Sequence, residues 1–199
     1  MTLQENKIII IVVTAVVGLI VASPALQHVL VYPQTEFFTE LYLLGPNHMA
    51  SDLPYNITSG QSYNVSLGIS NQLGSCAYYQ VQVKFRNYTQ SAPDSFNHTY
   101  SLQPSLYNVN VFVADKETWE LPVTFGFDYF YDENSTQINF SNLSFNNQLL
   151  NVNGSSTTWI SNTTSYYGNL IFELWVYNDT TGGFQYHQRF VDMKFNMTI

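Results

Sequence analysis

From Trp119 to Phe127 a large apolar residue stands at every second position. Trp119, Leu121, Val123, Phe125 and Phe127 alternate with Glu120, Pro122, Thr124 and Gly126. Alternate side chains of an extended strand point to opposite faces, so this segment buries one face only as β structure. The pattern recurs in Tyr63, Val65, Leu67 and Ile69, and again in Val191, Met193, Phe195 and Met197. Runs rich in β-branched and aromatic residues fall at 36–44, 62–71, 77–88, 106–114, 119–130, 137–145, 168–178 and 185–198. Gly45-Pro46-Asn47, Ser59-Gly60, Leu73-Gly74-Ser75, Gln103-Pro104-Ser105 and Thr181-Gly182-Gly183 punctuate them as turns. Helical periodicity is absent after residue 30. The prediction is an all-β fold, an immunoglobulin-like β-sandwich of about seven to eight strands. Pro122 lacks a ladder donor, which places an edge or a strand start there. Residues 146–167, the least patterned stretch, read as a long glycosylated loop.

Ahead of the strands, residues 8–22 carry no charge, and the apolar run continues through Ala25 and Leu26 toward the ~20 residues that cross a bilayer. We read 1–7 as a short cytoplasmic N-terminus, 8–28 as a transmembrane helix and 29–199 as an extracellular domain. Lys7, just before the run, sets that orientation. A cleavable signal peptide is the alternative, since Ala22, Ser23 and Ala25 also fit a cleavage site. Both readings export the domain.

Composition narrows the partners. Only 10% of residues are charged while 16% are aromatic, a balance that supports a packed core rather than disorder. A net charge of -8, with Lys7, Lys84, Arg86, Lys116, Arg189 and Lys194 thinly spread, leaves no basic patch for nucleic acid. The single cysteine, Cys76, permits no disulfide within the chain and reads as a buried or inert thiol.

Sequons for N-glycosylation begin at Asn56, Asn64, Asn87, Asn97, Asn134, Asn139, Asn142, Asn153, Asn162, Asn178 and Asn196. Chance predicts about 3 to 4 in a chain of this composition, so the excess points to a glycoprotein. Asn64 and Asn196 alternate with apolar stripes and so fall on the wet faces of their strands. No sequon occurs between Thr99 and Glu133, and we read that stretch, with residues 30–55, as a surface contacting a neighbour.

Motifs for chemistry are sparse. His28, His48, His98 and His187 show no ligand spacing, and no nucleophile elbow or phosphate loop occurs. No cofactor, metal site or catalytic residue is expected. Asp128, Asp132 and Glu133, with Asn134, are close enough in sequence to raise calcium, but they lack the spacing of a calcium loop and read as a solvated turn. Trp119, Trp159, Trp175 and the pairs Tyr78-Tyr79 and Tyr166-Tyr167 read as core, with a sugar-stacking platform as the alternative.

The segments FTELYLLGPNHMASDLPYNITSGQSYNVSLGISN, ETWELPVTF and NLIFELWVYN…FQYHQRFVDMKFNM resemble the archaeal family of predicted membrane proteins known as domain of unknown function 1616. The resemblance rests on the Leu-Gly-Pro turn, on a strand bearing Gly68 and Asn71, and on the Phe-Glu-Leu-Trp strand. It implies a membrane-associated domain and brings no reaction and no catalytic residues. The sequence therefore points to a non-enzymatic, membrane-anchored surface protein of the archaeal envelope that contacts other envelope or membrane proteins, or copies of itself. A filament subunit donating its N-terminal strand after signal cleavage, through Leu26, Val29, Val31, then Phe37 and Leu41, is one alternative, and a carbohydrate-binding ectodomain is another.

Overall fold

The computed structural model describes residues 3–29, 37–152, 155–162 and 164–199. Two compact units result, divided after Phe37. The first is a helix, α1 (Leu3–Val29), that runs through the apolar N-terminal stretch. Its described apolar side chains are exposed, and the Thr14 hydroxyl donates back to the Ile10 carbonyl at 2.8 Å, leaving little polar surface on the helix. Among the described residues no helix is long and apolar enough to cross a membrane.

The second unit is all β. Its strands are β1 (Phe38–Leu44), β2 (Asn56–Thr58), β3 (Ser62–Gln72), β4 (Ala77–Arg86), β5 (Tyr107–Val113), β6 (Thr118–Asp132), β7 (Gln137–Phe145), β8 (Gln148–Asn151), β9 (Ser156–Ile160), β10 (Ser165–Asn178) and β11 (Gly183–Thr198). All eight predicted runs are strands. The expected count of seven to eight is corrected to eleven by β2, β8 and β9. The long loop expected over 146–167 instead holds β8, β9 and the start of β10, because hydrogen bonding to β7 and β10 orders a segment with little apolar pattern of its own.

One set of strands runs β1-β3-β6-β7 with β8 beside β7. The other runs β5-β4-β10-β11-β2, with β2 parallel to β11 and the remaining pairs antiparallel. β9 pairs with both β7 and β10 and so makes one continuous curled sheet of the two. Aromatic rings meet across it. Phe85 on β4 lies 5.5 Å from Phe127 on β6 and 4.7 Å from Phe140 on β7, and Phe127 lies 5.3 Å from Phe195 on β11. Burying each such ring stabilises by about 1.5–3 kcal/mol. Trp119 and Leu121 are half-buried, and Val123, Phe125 and Phe127 are buried, as the alternation predicts. Pro122 sits opposite Ser66 where β6 has β3 as its neighbour and has not yet reached β7, so its missing N–H falls on a local edge.

The residues that carry the family resemblance do structural work. A Cβ on Gly45 would run into the Asp52 backbone, and one on Gly68 into the Tyr42 ring. Asn71, fully buried, donates its amide to the Ser75 and Val113 carbonyls at 2.8 and 2.9 Å and accepts from the Leu73 N–H and the Tyr79 hydroxyl. It staples the end of β3 to the turn after β5.

Candidate functional site

Antiparallel register stacks residues of β5, β4, β10 and β11 into rows across the outer face of the second strand set. Tyr78 pairs with Phe112, and Tyr177 with Phe184. The four rings close into a row: Phe112 stacks on Tyr78 at 4.0 Å and 10°, Tyr78 lies 6.0 Å from Tyr177 and 5.1 Å from Phe184, and Tyr177 lies 5.5 Å from Phe184. Phe112 is 69% and Tyr177 38% exposed, so the row faces solvent. An open cleft of about 790 Å³ adjoins it, lined also by Leu73, Ser75, Cys76, Val176 and Asp179. Cys76 is exposed, which corrects the expectation of a buried thiol: the turn after Gly74 turns it outward.

One step along the strands, Asn110, Gln80, Trp175 and Tyr186 form the next row. The Gln80 amide donates to Asn110 Oδ1 at 3.0 Å, and the Gln82 amide donates to Gln80 Oε1 at 3.1 Å, giving a ladder of planar amides. Tyr100 packs 5.2 Å from Trp175 and 5.9 Å from Tyr186.

Beyond this, the connection between β4 and β5 crosses the same face and buries charge. Lys84 Nζ lies 2.8 Å from Glu173 Oε2, with both side chains almost wholly removed from water. Lys84 also donates to the Ser101 carbonyl at 2.8 Å, and the Ser101 N–H donates to Glu173 Oε1 at 2.6 Å. The ion pair thus clasps the connection to the sheet, satisfying both charges as burial requires. Burial, then the charges of Glu173 and Asp94, pushes the Tyr186 hydroxyl up to about 12.

A second polar path joins both strand sets. His187 Nε2 lies 3.0 Å from Thr39 Oγ1, and Thr39 Oγ1 lies 3.0 Å from the Tyr79 hydroxyl, which donates to Asn71. Burial, and then Arg189, holds the His187 imidazole below its ordinary pKa. Among the described histidines, His187 is the one that joins this path. His48 lies on the surface, 4.0 Å from Glu120.

Of the sequon asparagines, Asn56, Asn64, Asn97, Asn134 and Asn162 are exposed, and Asn87, Asn139, Asn142, Asn178 and Asn196 are half-buried. Asn153 lies outside the described residues, as do Val31 and the rest of 30–36. Asn56 and Asn196 face each other across the parallel β2–β11 pair, with amide to amide at 3.2 Å. The Asn87 amide is already committed to the Ser156 carbonyl at 2.8 Å.

The acidic turn is self-contained. Asp132 accepts from the Ser135 hydroxyl and the Asn134 N–H, which hold its carboxyl below its ordinary range, and Asp128 stands on β6 opposite Asn142. Among the described residues, no three His, Cys, Asp or Glu side chains converge.

Of the aromatics marked in the sequence, Tyr79 and Tyr166 are core, Trp119 faces inward and Tyr167 is half-buried, whereas Tyr78 and Trp175 belong to the surface rows and Trp159 is exposed, which corrects the core reading for these three. Phe112, Tyr177 and Phe184 were not singled out, because three separate strands supply them and each reads locally as one more strand aromatic.

A family profile described as Domain of unknown function (DUF1616) matches residues 33–162. No curated protein matches the chain. Among solved structures, β-glucosidase from Listeria innocua in complex with gluconolactone is similar at a TM-score of 0.37 and 13% identity, covering 83% of this chain. The chain spans 17% of that enzyme's length. The CARDB domain of a Pyrococcus furiosus protein, in complex with di-metal ions, is similar at a TM-score of 0.36 and 10% identity, covering 84% of this chain and 98% of that one. At such scores neither likeness bears on function.

Proposed function

Starting from a chain that belongs to the family Domain of unknown function (DUF1616), we propose that it is a membrane-anchored, N-glycosylated surface protein with a structural or interaction role and no catalysis. In this reading residues 8–28 hold it in the membrane and the β unit, an immunoglobulin-like two-layer sandwich, stands outside an archaeal cell. Its partners are other envelope or membrane proteins or further copies of the chain, and not nucleic acid. The observation that carries the reading is the excess of sequons, eleven where chance predicts about 3 to 4. Every described sequon asparagine reaches solvent, while the fully buried Asn71 and Asn169 both lie outside sequons. Asn47, Asn108 and Asn147, outside sequons, are exposed as well, so exposure leaves the described sequons open to modification while their number carries the reading.

Glycopeptide and intact-mass spectrometry of the native protein tests it. The expected result is sugar on most sequon asparagines and an N-terminal peptide that retains residues 8–28. Bare asparagines throughout overturn the glycoprotein reading. A mature chain beginning between Pro24 and Gln27 overturns the anchor and turns the proposal toward a secreted filament subunit.

A further inference from the structure

We infer that the outer face of the second strand set is a binding strip for a neutral sugar chain, formed by the aromatic row Phe112, Tyr78, Tyr177 and Phe184 with the amide ladder Asn110–Gln80 beside it. Three features of the surface select that ligand. The exposed rings of Phe112 and Tyr177 match the apolar C–H face of a pyranose, and with the half-buried Tyr78 and Phe184 completing the row on strands ~4.8 Å apart they make a linear track rather than a pocket for one small molecule. The adjoining amides present a donor and an acceptor in one plane, which suits paired hydroxyls on the ring edge. The two rows carry no charged residue, and Asp179 on the adjoining cleft disfavours an anionic polymer, so the rows themselves suit a neutral chain.

The surface is also already in place. Phe112 is held by its stack on Tyr78, and Gln80 is fixed between Asn110 and Gln82, so little ordering cost remains for a ligand to meet. No sequon falls on these rows, because Asn108 and Asn110 are not followed by Ser or Thr at the required spacing. Asn178, the sequon next to Tyr177 on β10, falls on the opposite face by strand alternation, so a sugar there is directed away from the strip. The inference does not depend on whether the chain's own sugars are present.

Affinity electrophoresis of the full chain, through native gels cast with mannan, a β-1,3-glucan or a neutral galactan, tests it. The expected result is retardation by at least one polymer relative to the plain gel. Phe112→Ala and Gln80→Ala should each weaken it by about tenfold, and Phe130→Ala, an exposed aromatic on β6, should leave it unchanged. Migration unaffected by all three polymers overturns the inference. So does retardation that Phe112→Ala leaves intact, since Phe112 is exposed and circular dichroism can establish that the variants fold. The sugar could belong to a free polysaccharide or to a neighbouring glycoprotein. Sedimentation of the native chain before and after enzymatic removal of its sugars separates these: self-association lost on stripping assigns the strip to sugars of another copy, and sedimentation unaffected by stripping assigns it to polysaccharide from outside.

Discussion

The buried Lys84–Glu173 pair shows how much one side chain controls. Removing a single partner leaves the other charge in a site closed to water, which costs about 3–5 kcal/mol. Lys84→Met should therefore lower the urea midpoint sharply, and the double variant Lys84→Met/Glu173→Leu should recover most of the loss. Gly68→Ala should destabilise by about 1–3 kcal/mol, because the added methyl must displace the Tyr42 ring and with it the 2.8 Å hydrogen bond from Tyr42 to Glu120. His187 sets an acid limit. Its pKa is lower in the folded chain, so the unfolded chain takes up the proton first. Stability is intact above pH 6.5 and falls as pH drops below it. Thermal midpoints between neutral and mildly acid pH should decline, and His187→Asn should flatten the decline. The carboxyls of Asp94 and Asp132, held low by hydrogen bonds, lose their contribution only below 3.8. Tyr186 works in the other direction: its stabilising contribution is present below pH 10 and is lost as pH rises to about 12. Titration of phenolate absorbance should show one fewer late-ionising hydroxyl in Tyr186→Phe.

At the level of elements, the connection between β4 and β5 behaves as a covering rather than a free loop. Amide hydrogen exchange should find the Ser101 N–H protected, since it is buried and donates to Glu173, while the exposed segment around Asn97 exchanges quickly. Nothing in the local sequence of 87–106 announces this, because the anchor is a carboxylate 72 residues away. The long strands were legible for the opposite reason: β3, β6 and β11 each carry enough alternation to identify themselves. β2, β8 and β9 span three to five residues each, and their partners, not their composition, make them strands. The surface rows were half legible. Tyr78 and Trp175 drew notice as aromatics, but a row that runs across strands has no period along the chain.

Across the whole β unit, β9 and the rings that meet between strand sets couple everything into one core. Phe127 touches Phe85, Phe125, Phe140 and Phe195, so Phe127→Ala should cost about 3–5 kcal/mol. Tryptophan fluorescence and far-ultraviolet dichroism should still report the same midpoint in that variant. Separated midpoints would mean that the two strand sets unfold independently. The pairing of β2 with β11 sets a timetable as well. Asn56 and Asn196 meet across 140 residues of chain, and β2 gains β11 as a neighbour only once that distant strand exists. Such non-local closure is slow. During synthesis the early strands must wait, extended and accessible, and any enzyme that modifies asparagine meets an unfinished chain before it meets a folded surface.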